Sequence, residues 1–388
     1  MMLFLLACTF HAPPTAPALS VANAPVRVVA VPTLSEDVVV AVAAGSAYDP
    51  PGREGLAWLT AHLIGLAAKT TPEVGPELVI FRVPIGEIPT LSQALVNPPI
   101  TAEWLAAVPP PRWLDDCGAI AKAALDISLF AGHPYGHPVW GRSSTRASLS
   151  AAEVRAFYDR RYVRGATAAA AQNPTDLAGH LDGLAPRTAS PITPTVLPPL
   201  TTSLPALLVV SAPVEHPCLA FGNREALPSD PTALAALDVV RAAWDDLAAE
   251  PIRRPQRFGI VIHDLLDADA INAVATTWSQ ARQDGLGAPV AEAHRRLGPA
   301  YHHRYPVDVL AHLLVPGSPD RRGVGARLAE LTPTELDAAV RSHTPEVERL
   351  LRVLVVPRSP GVGGISGSLE GAEPARVPAL LTAEELFR

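Results

Sequence analysis

Two helix-start signatures stand 182 residues apart in this chain, and their echo constrains its architecture more than any other feature. Leu149-Ser150-x-x-Glu153-Val154 returns as Leu331-Thr332-x-x-Glu335-Leu336. In each, a hydroxyl side chain can accept from the backbone N–H three residues on, while the Glu there reaches back to the N–H of the cap. A second echo has nearly the same spacing: the apolar run ending at Ala44 returns as one ending at Phe221, 177 residues later. One capping box alone is weak evidence, but two echoes at nearly one spacing predict a structural unit used twice.

The first copy reads as strands at 26–31 and 38–44, a loop at 45–52 and a helix over 53–69. A strand at 78–83, a helix over 114–130, a Pro/Gly loop at 133–141, a capped helix over 150–162 and a strand at 166–171 complete it. The strands rest on β-branched apolar runs. The first helix rests on Leu56, Leu59, Leu63 and Leu66 falling near one face. Residues 183–205, rich in Pro, Thr and Ser, read as the linker between domains at 26–182 and 206–358. The second copy reads as strands at 206–210, 218–221, 258–263 and 351–356, with helices over 232–247, 268–284, 288–297 and 332–342. Residues 359–388 read as a tail, Gly/Ser/Pro-rich to 376, with a short capped segment at Thr382. The expected fold is α+β: two homologous domains related by internal duplication, each a mainly antiparallel sheet with helices packed on one face.

Composition excludes several classes. Apolar residues make up 48% of the 388 and charged residues 18%, enough for sizeable cores and too few charges for a disordered chain. Net charge is −7, Lys69 and Lys122 are the two lysines, and no basic face that would suit nucleic acid is visible. The three cysteines are Cys8, Cys117 and Cys218, an odd count that argues against a pure disulfide framework. Cys117 and Cys218 fall in different predicted domains and are expected as separate, small buried residues. Leu5-Leu6-Ala7-Cys8 resembles the lipobox of bacterial lipoproteins, which makes Cys8 the expected lipidation site, residues 1–8 the signal and 9–25 a tether. Membrane attachment is expected through that lipid alone, facing the periplasm.

Three motifs resemble one known family. Ala43-Ala44-Gly45-Ser46-Ala47-Tyr48-Asp49, then Pro51-Gly52-x-x-Gly55-Leu56-Ala57, resembles the approach to the zinc helix of insulinase/pitrilysin-type metallopeptidases, the group that includes mitochondrial processing peptidase. The loop Gly132-His133-Pro134-Tyr135-Gly136-His137-Pro138-Val139-Trp140-Gly141 and the stretch from Leu149 to Tyr162 resemble later parts of the same family. With the duplication, the likeness spans about 26–358. Active members carry His-x-x-Glu-His immediately after the Gly-Leu-Ala segment. Histidines at i and i+4 share a helix face and can grip one zinc, and the Glu beside them deprotonates the metal-bound water. Here the five positions are Trp58-Leu59-Thr60-Ala61-His62. Trp58 replaces the first ligand and Ala61 the base, leaving His62. The distant Glu ligand is missing from 108–116, and the nearest is Glu103. The resemblance therefore implies a lost zinc site, no catalytic residues and no cofactor.

Other candidate sites are weaker. His133 and His137 are four apart, but Pro134 and Gly136 make a helix between them unfavourable. His302 and His303 are adjacent and would face apart in a helix. Arg253 and Arg254, with Arg257, could pair a peptide carboxylate, although a solvated basic turn is the plainer reading. Ser143 and Ser144 form no nucleophile elbow. In this family a degenerate chain often pairs with an active one around a chamber, so the expected role is the non-catalytic partner of an active insulinase-type subunit, with peptide as a further ligand. The alternatives are a stand-alone envelope-anchored binding lipoprotein and an active zinc metalloendopeptidase with a non-standard site.

Overall fold

The computed structural model describes residues 26–31, 34, 36–111, 116–177, 179–187, 207–224, 227–243, 249–254, 257–262, 276, 279–285, 287–300, 306–345, 350–358 and 379–382. Cys8, the tether, most of the linker, His302, His303 and residues 268–275 of the helix predicted over 268–284 lie outside them.

The first half contributes β1 (Arg27–Ala30), β2 (Asp37–Val42), β3 (Glu73–Val74), β4 (Val79–Pro84) and β5 (Thr167–Ala171). They pair in the order β1-β5-β2-β4-β3, with β1 parallel to β5 and every other contact antiparallel. The second half contributes β6 (Leu207–Ala212), β7 (Cys218–Asn223), β8 (Ala249–Arg254), β9 (Arg257–Ile262) and β10 (Leu351–Pro357). Its order is β6-β10-β7-β9-β8, again with the first pair parallel and the rest antiparallel. Strand for strand the halves match, as the 182-residue echo predicts. The second sheet gains one strand, β11 (Ala379–Thr382), which pairs parallel with β6. The region read as a tail thus returns to the sheet edge, where an exposed row of backbone groups accepts a further strand.

Alternation along β2 shows why its apolar run is unbroken. Val38, Val40 and Val42 face one core, and Val39 and Ala41 face another; all five are 0% exposed. A strand buried on both faces has no polar side to display. The first core is built by α1 (Leu56–Ala68), α2 (Ile88–Val96) and α6 (Ala151–Arg161). Helix α6 starts at Ser150 with a complete capping box: Ser150 N–H donates to Glu153 at 2.9 Å, and Glu153 N–H donates to Ser150 Oγ at 3.3 Å. Helices α2 and α3 (Ala102–Ala107) were not anticipated; Pro89 sits at the start of α2, where its missing N–H costs nothing. Helix α5 (Ser143–Ala147) leads into α6.

In the second half α7 (Pro231–Ala242), α8 (Ala288–Ala300), α10 (Val324–Glu330) and α11 (Pro333–His343) build the matching core against one face of their sheet. Thr332 caps α11 with the predicted box.

The opposite faces of the two sheets are covered by exchange. Helix α4 (Cys117–Leu129), from the first half, packs on β7 and β10 of the second sheet, over Cys218, Ala220, Val353 and Val355. Helix α9 (Pro306–Leu314), from the second half, packs on β2 and β5 of the first, placing Leu310 against Val39, Ala41 and Ala170. Arg321 bridges α9 to its own half: it pairs with Asp238 of α7, and its Nε lies 3.4 Å from Asp308 of α9; Arg321 and Asp238 are buried and Asp308 partly so. The helix exchange corrects the expectation for two cysteines. Cys117 opens α4 and Cys218 opens β7, and they form a disulfide with Cα atoms 6.0 Å apart. Membership of different halves, which argued for separate thiols, is what the exchange overrides.

Candidate functional site

The three motifs that resemble the insulinase family meet at the start of α1. Asp49 accepts from the N–H groups of Gly55 and Ala57, both at 2.7 Å, and so satisfies donors that a helix start leaves unpaired. Burial pushes its carboxyl up to about 8, against the pull of these hydrogen bonds. Gly55 has φ +98° and Gly141 has φ +66°. A Cβ on Gly141 would stand 2.1 Å from the Glu54 carbonyl oxygen, and one on Gly55 2.7 Å from that of Trp140. The two glycines therefore let the second motif's loop lie directly on the first motif's backbone. Arg146 secures the junction by donating to the carbonyls of Trp140 (2.8 Å) and Gly141 (2.9 Å). The third motif joins through Arg53–Glu153 (2.6 Å) and through Arg161, whose guanidinium lies 3.8 Å from the centre of the Tyr48 ring.

Helix α1 carries the positions at issue. Leu56 to Ala61 are all buried, as are Leu63 and Ile64, so the helix is apolar nearly all round. Leu66, expected on the buried face, is 39% exposed. Helical side chains lean towards the N-terminus, so the His62 imidazole reaches back over the preceding turn. There it stacks on the Trp58 ring, with centroids 4.0 Å apart and planes inclined 27°. Its Nδ1–H donates to the Trp58 carbonyl at 2.9 Å, which leaves Nε2 as the acceptor of a neutral ring. Burial holds the His62 pKa below the ordinary histidine value, partly offset by that carbonyl. The Arg146 guanidinium lies 5.8 Å from the centre of the Trp58 ring.

A pocket of about 510 Å³ opens beside Trp58 and His62. Leu66 and the turn Thr70-Thr71-Pro72 form one wall, the Pro109-Pro110-Pro111 run and Trp140 another, and Asp116 and Ala119 at the start of α4 a third. Asp116 is committed to capping α4, accepting from Ala119 N–H at 2.9 Å. Thr70 Oγ1 donates to the Arg82 carbonyl.

A tetrahedral zinc needs three protein ligands and an open position. At this helix the structure offers the single Nε2 of His62, with an indole where a first ligand would stand and a methyl where a base would. Among the described residues no group of three His, Cys, Asp or Glu could hold a metal. Glu103, the nearest candidate for a distant ligand, is exposed in the first turn of α3, and Thr101 holds its carboxylate below its usual range. Residues 112–115 lie outside the described set. The described residues at this helix do not fit zinc, and no hydrolytic step follows from them.

The other candidates are dispersed. His133 is buried between Phe130 and Tyr135, and its Nδ1 accepts from Tyr135 N–H at 3.2 Å. His137 Nδ1 donates to the Pro138 carbonyl. Arg253 and Arg254 lie not in a turn but in β8, the outer strand of the second sheet, opposite Phe258 and Arg257. Ser143 and Ser144 begin α5, and Ser143 Oγ accepts from Arg146 at 3.4 Å. Sequence reasoning missed Leu66, Trp140, Ala119 and the Pro109–Pro111 run as pocket walls. The Pro run and the Trp-Gly loop end were visible signals, but nothing in the order of residues brings them to α1.

No family model and no curated protein matches the sequence. Solved structures do match in fold. A peptidase M16 inactive domain from Pseudomonas fluorescens aligns over 86% of this chain and 95% of its own, at 15% identity and TM-score 0.59. A protease from Helicobacter pylori aligns over 86% and 99%, at 12% identity and TM-score 0.60. Pitrilysin aligns over 86% of this chain but 44% of its own, at 13% identity and TM-score 0.51. The fold of this chain is that of M16 peptidase domains, the insulinase/pitrilysin type that the motifs of its first half resemble.

Proposed function

We propose that this chain is a catalytically inactive insulinase-type homologue and the non-catalytic partner of an active zinc peptidase subunit in the bacterial envelope. One observation carries the reading. The Trp58 indole lies on His62 where two histidines would hold a metal, and Ala61 stands where a general base would activate water. Removing ligand and base together leaves the helix without the means to bind zinc or to deprotonate its water. The partner role draws support from the resemblance to a family in which a degenerate chain is often paired with an active one around a chamber. The envelope draws support from the Cys117–Cys218 disulfide, a bond that persists in oxidising compartments. Lipidation at Cys8 belongs to the same proposal.

The test has two arms. The purified chain, exposed to zinc and dialysed, is assayed for metal content and for cleavage of unstructured peptides; substoichiometric metal and no cleavage are expected. Co-expression with a homologue carrying an intact His-x-x-Glu-His, encoded beside it, is expected to yield a stable heteromer. Stoichiometric zinc with turnover sinks the inactive reading, and separate monomers sink the partner reading.

A further inference from the structure

We infer that the outer edge of β6 is a self-association surface which this chain holds shut with its own C-terminal strand, and that release of β11 lets two copies join β6 to β6 as a dimer.

Without β11 the two sheets end in four strands, β1, β3, β6 and β8. Three of them are protected by their own sequences. β3 is two residues long and begins with Glu73. β8 contains Pro251, which has no N–H to donate, with Glu250, Arg253 and Arg254 in the same strand. β1 begins at Arg27, whose guanidinium donates to the Leu313 carbonyl. Brevity, Pro and charge are what keep an edge from pairing with another molecule. β6 has none of these. Leu207-Leu208-Val209-Val210-Ser211-Ala212 runs six residues without charge or Pro. It is buried on both faces, with Leu208, Val210 and Ala212 in one core and Val209 in another. An uncharged apolar strand of this kind, once open along its edge, is the type that pairs with a copy of itself.

β11 covers that edge. Ala379 to Thr382 run parallel to Leu208–Ser211. The cover is four residues long and joins the sheet through β6, at the end of the strand order. Residues 358–378 link it to β10. β10 and β11 flank β6, so they lie about 10 Å apart. A link of that length can span roughly 70 Å. The covalent connection therefore lets β11 leave the edge while β10 stays in place.

A second copy is the occupant that fits the freed edge. Two identical strands related by a two-fold axis perpendicular to the sheet pair antiparallel, each offering the other the same groups. The pairing uses up both β6 edges and leaves the three protected ones, so growth stops at a dimer.

The test places a site for a sequence-specific protease between Gly364 and Ile365, so that the full-length oxidised chain folds first and is cut afterwards. The uncut chain is expected to sediment as a monomer at micromolar concentration. After cutting and gel filtration, the C-terminal fragment is expected to be lost and the remainder to sediment as a dimer. A synthetic peptide of residues 376–388 is expected to return it to monomer. The same peptide N-methylated at 379–382, which lacks the ladder donors, is expected to leave the dimer intact. Leu380→Pro with Leu381→Pro in the uncut chain is expected to give the same dimer, with far-UV circular dichroism verifying the fold. The proposal is overturned by a cut fragment that stays bound, or by a cut or Pro-substituted chain that remains monomeric. It is equally overturned by a dimer that both peptides or neither disperse, by open-ended aggregation, or by an uncut chain as dimeric as the cut one.

Discussion

Reducing the Cys117–Cys218 disulfide tests the helix exchange most directly, because it removes a cross-link without removing an atom. The bond joins residues 101 apart in sequence. In the chain-entropy account, closing a loop of that length restricts the unfolded chain by ~4.7 kcal/mol. Native disulfides typically deliver about 2–5 kcal/mol, so reduction should lower stability by a value in that range. Urea unfolding followed by tryptophan fluorescence, with and without a phosphine reductant, measures it. With a urea slope of about 3 kcal/mol/M, the midpoint should fall by roughly 0.7–1.7 M. Amide exchange should also rise along Cys117–Leu129, since the reduced α4 is held on β7 and β10 by packing alone. A midpoint that stays put on reduction, or two titratable thiols at Cys117 and Cys218 in the native protein, would refute the reasoning.

Four further outcomes follow from the same geometry. Because each half covers a face of the other's sheet, unfolding should be a single cooperative transition; two resolved transitions by calorimetry would count against the exchange. Gly141→Ala, at φ +66° and 2.1 Å from the Glu54 carbonyl, should cost at least about 2 kcal/mol in denaturant unfolding. Ala61→Glu puts an unpaired carboxylate at a fully buried position and should cost about 3 kcal/mol or more, so its melting temperature should drop well below that of the parent. Asp49 is raised to about 8 in the folded state, above its unfolded value, so its contribution is full at acidic pH and fades as pH rises through 8. Stability measured from pH 4 to 8 should therefore decline less in Asp49→Asn than in the parent.

Much of this protein was readable from contiguous residues. The capping boxes at Ser150 and Thr332 form as their spacing predicts, since a cap needs groups only three residues apart. The continuous apolar run of β2 announced a strand, and the paired echoes announced the duplication that strand order bears out. The changes at Trp58 and Ala61 were equally plain, because the identity of a residue at a motif position needs no coordinates. Where the local signal was thin, the reading failed. Arg253 and Arg254 looked like a turn because charge and Pro outweigh strand propensity in a short window, yet pairing with β9 makes them a strand.

What the sequence determined by itself was therefore local: many of the strands and helices, the caps, the repeated unit and the missing ligand and base. Tertiary structure alone decided which sheet α4 covers, that Cys117 meets Cys218, that β11 closes the edge of the second sheet, and that Pro109–Pro111 and Trp140 wall a pocket over His62. The reason is physical. Hydrophobic periodicity states that a face must be buried but not against what. The partner is chosen by shape and loop closure across a hundred residues or more, which no short window of sequence carries.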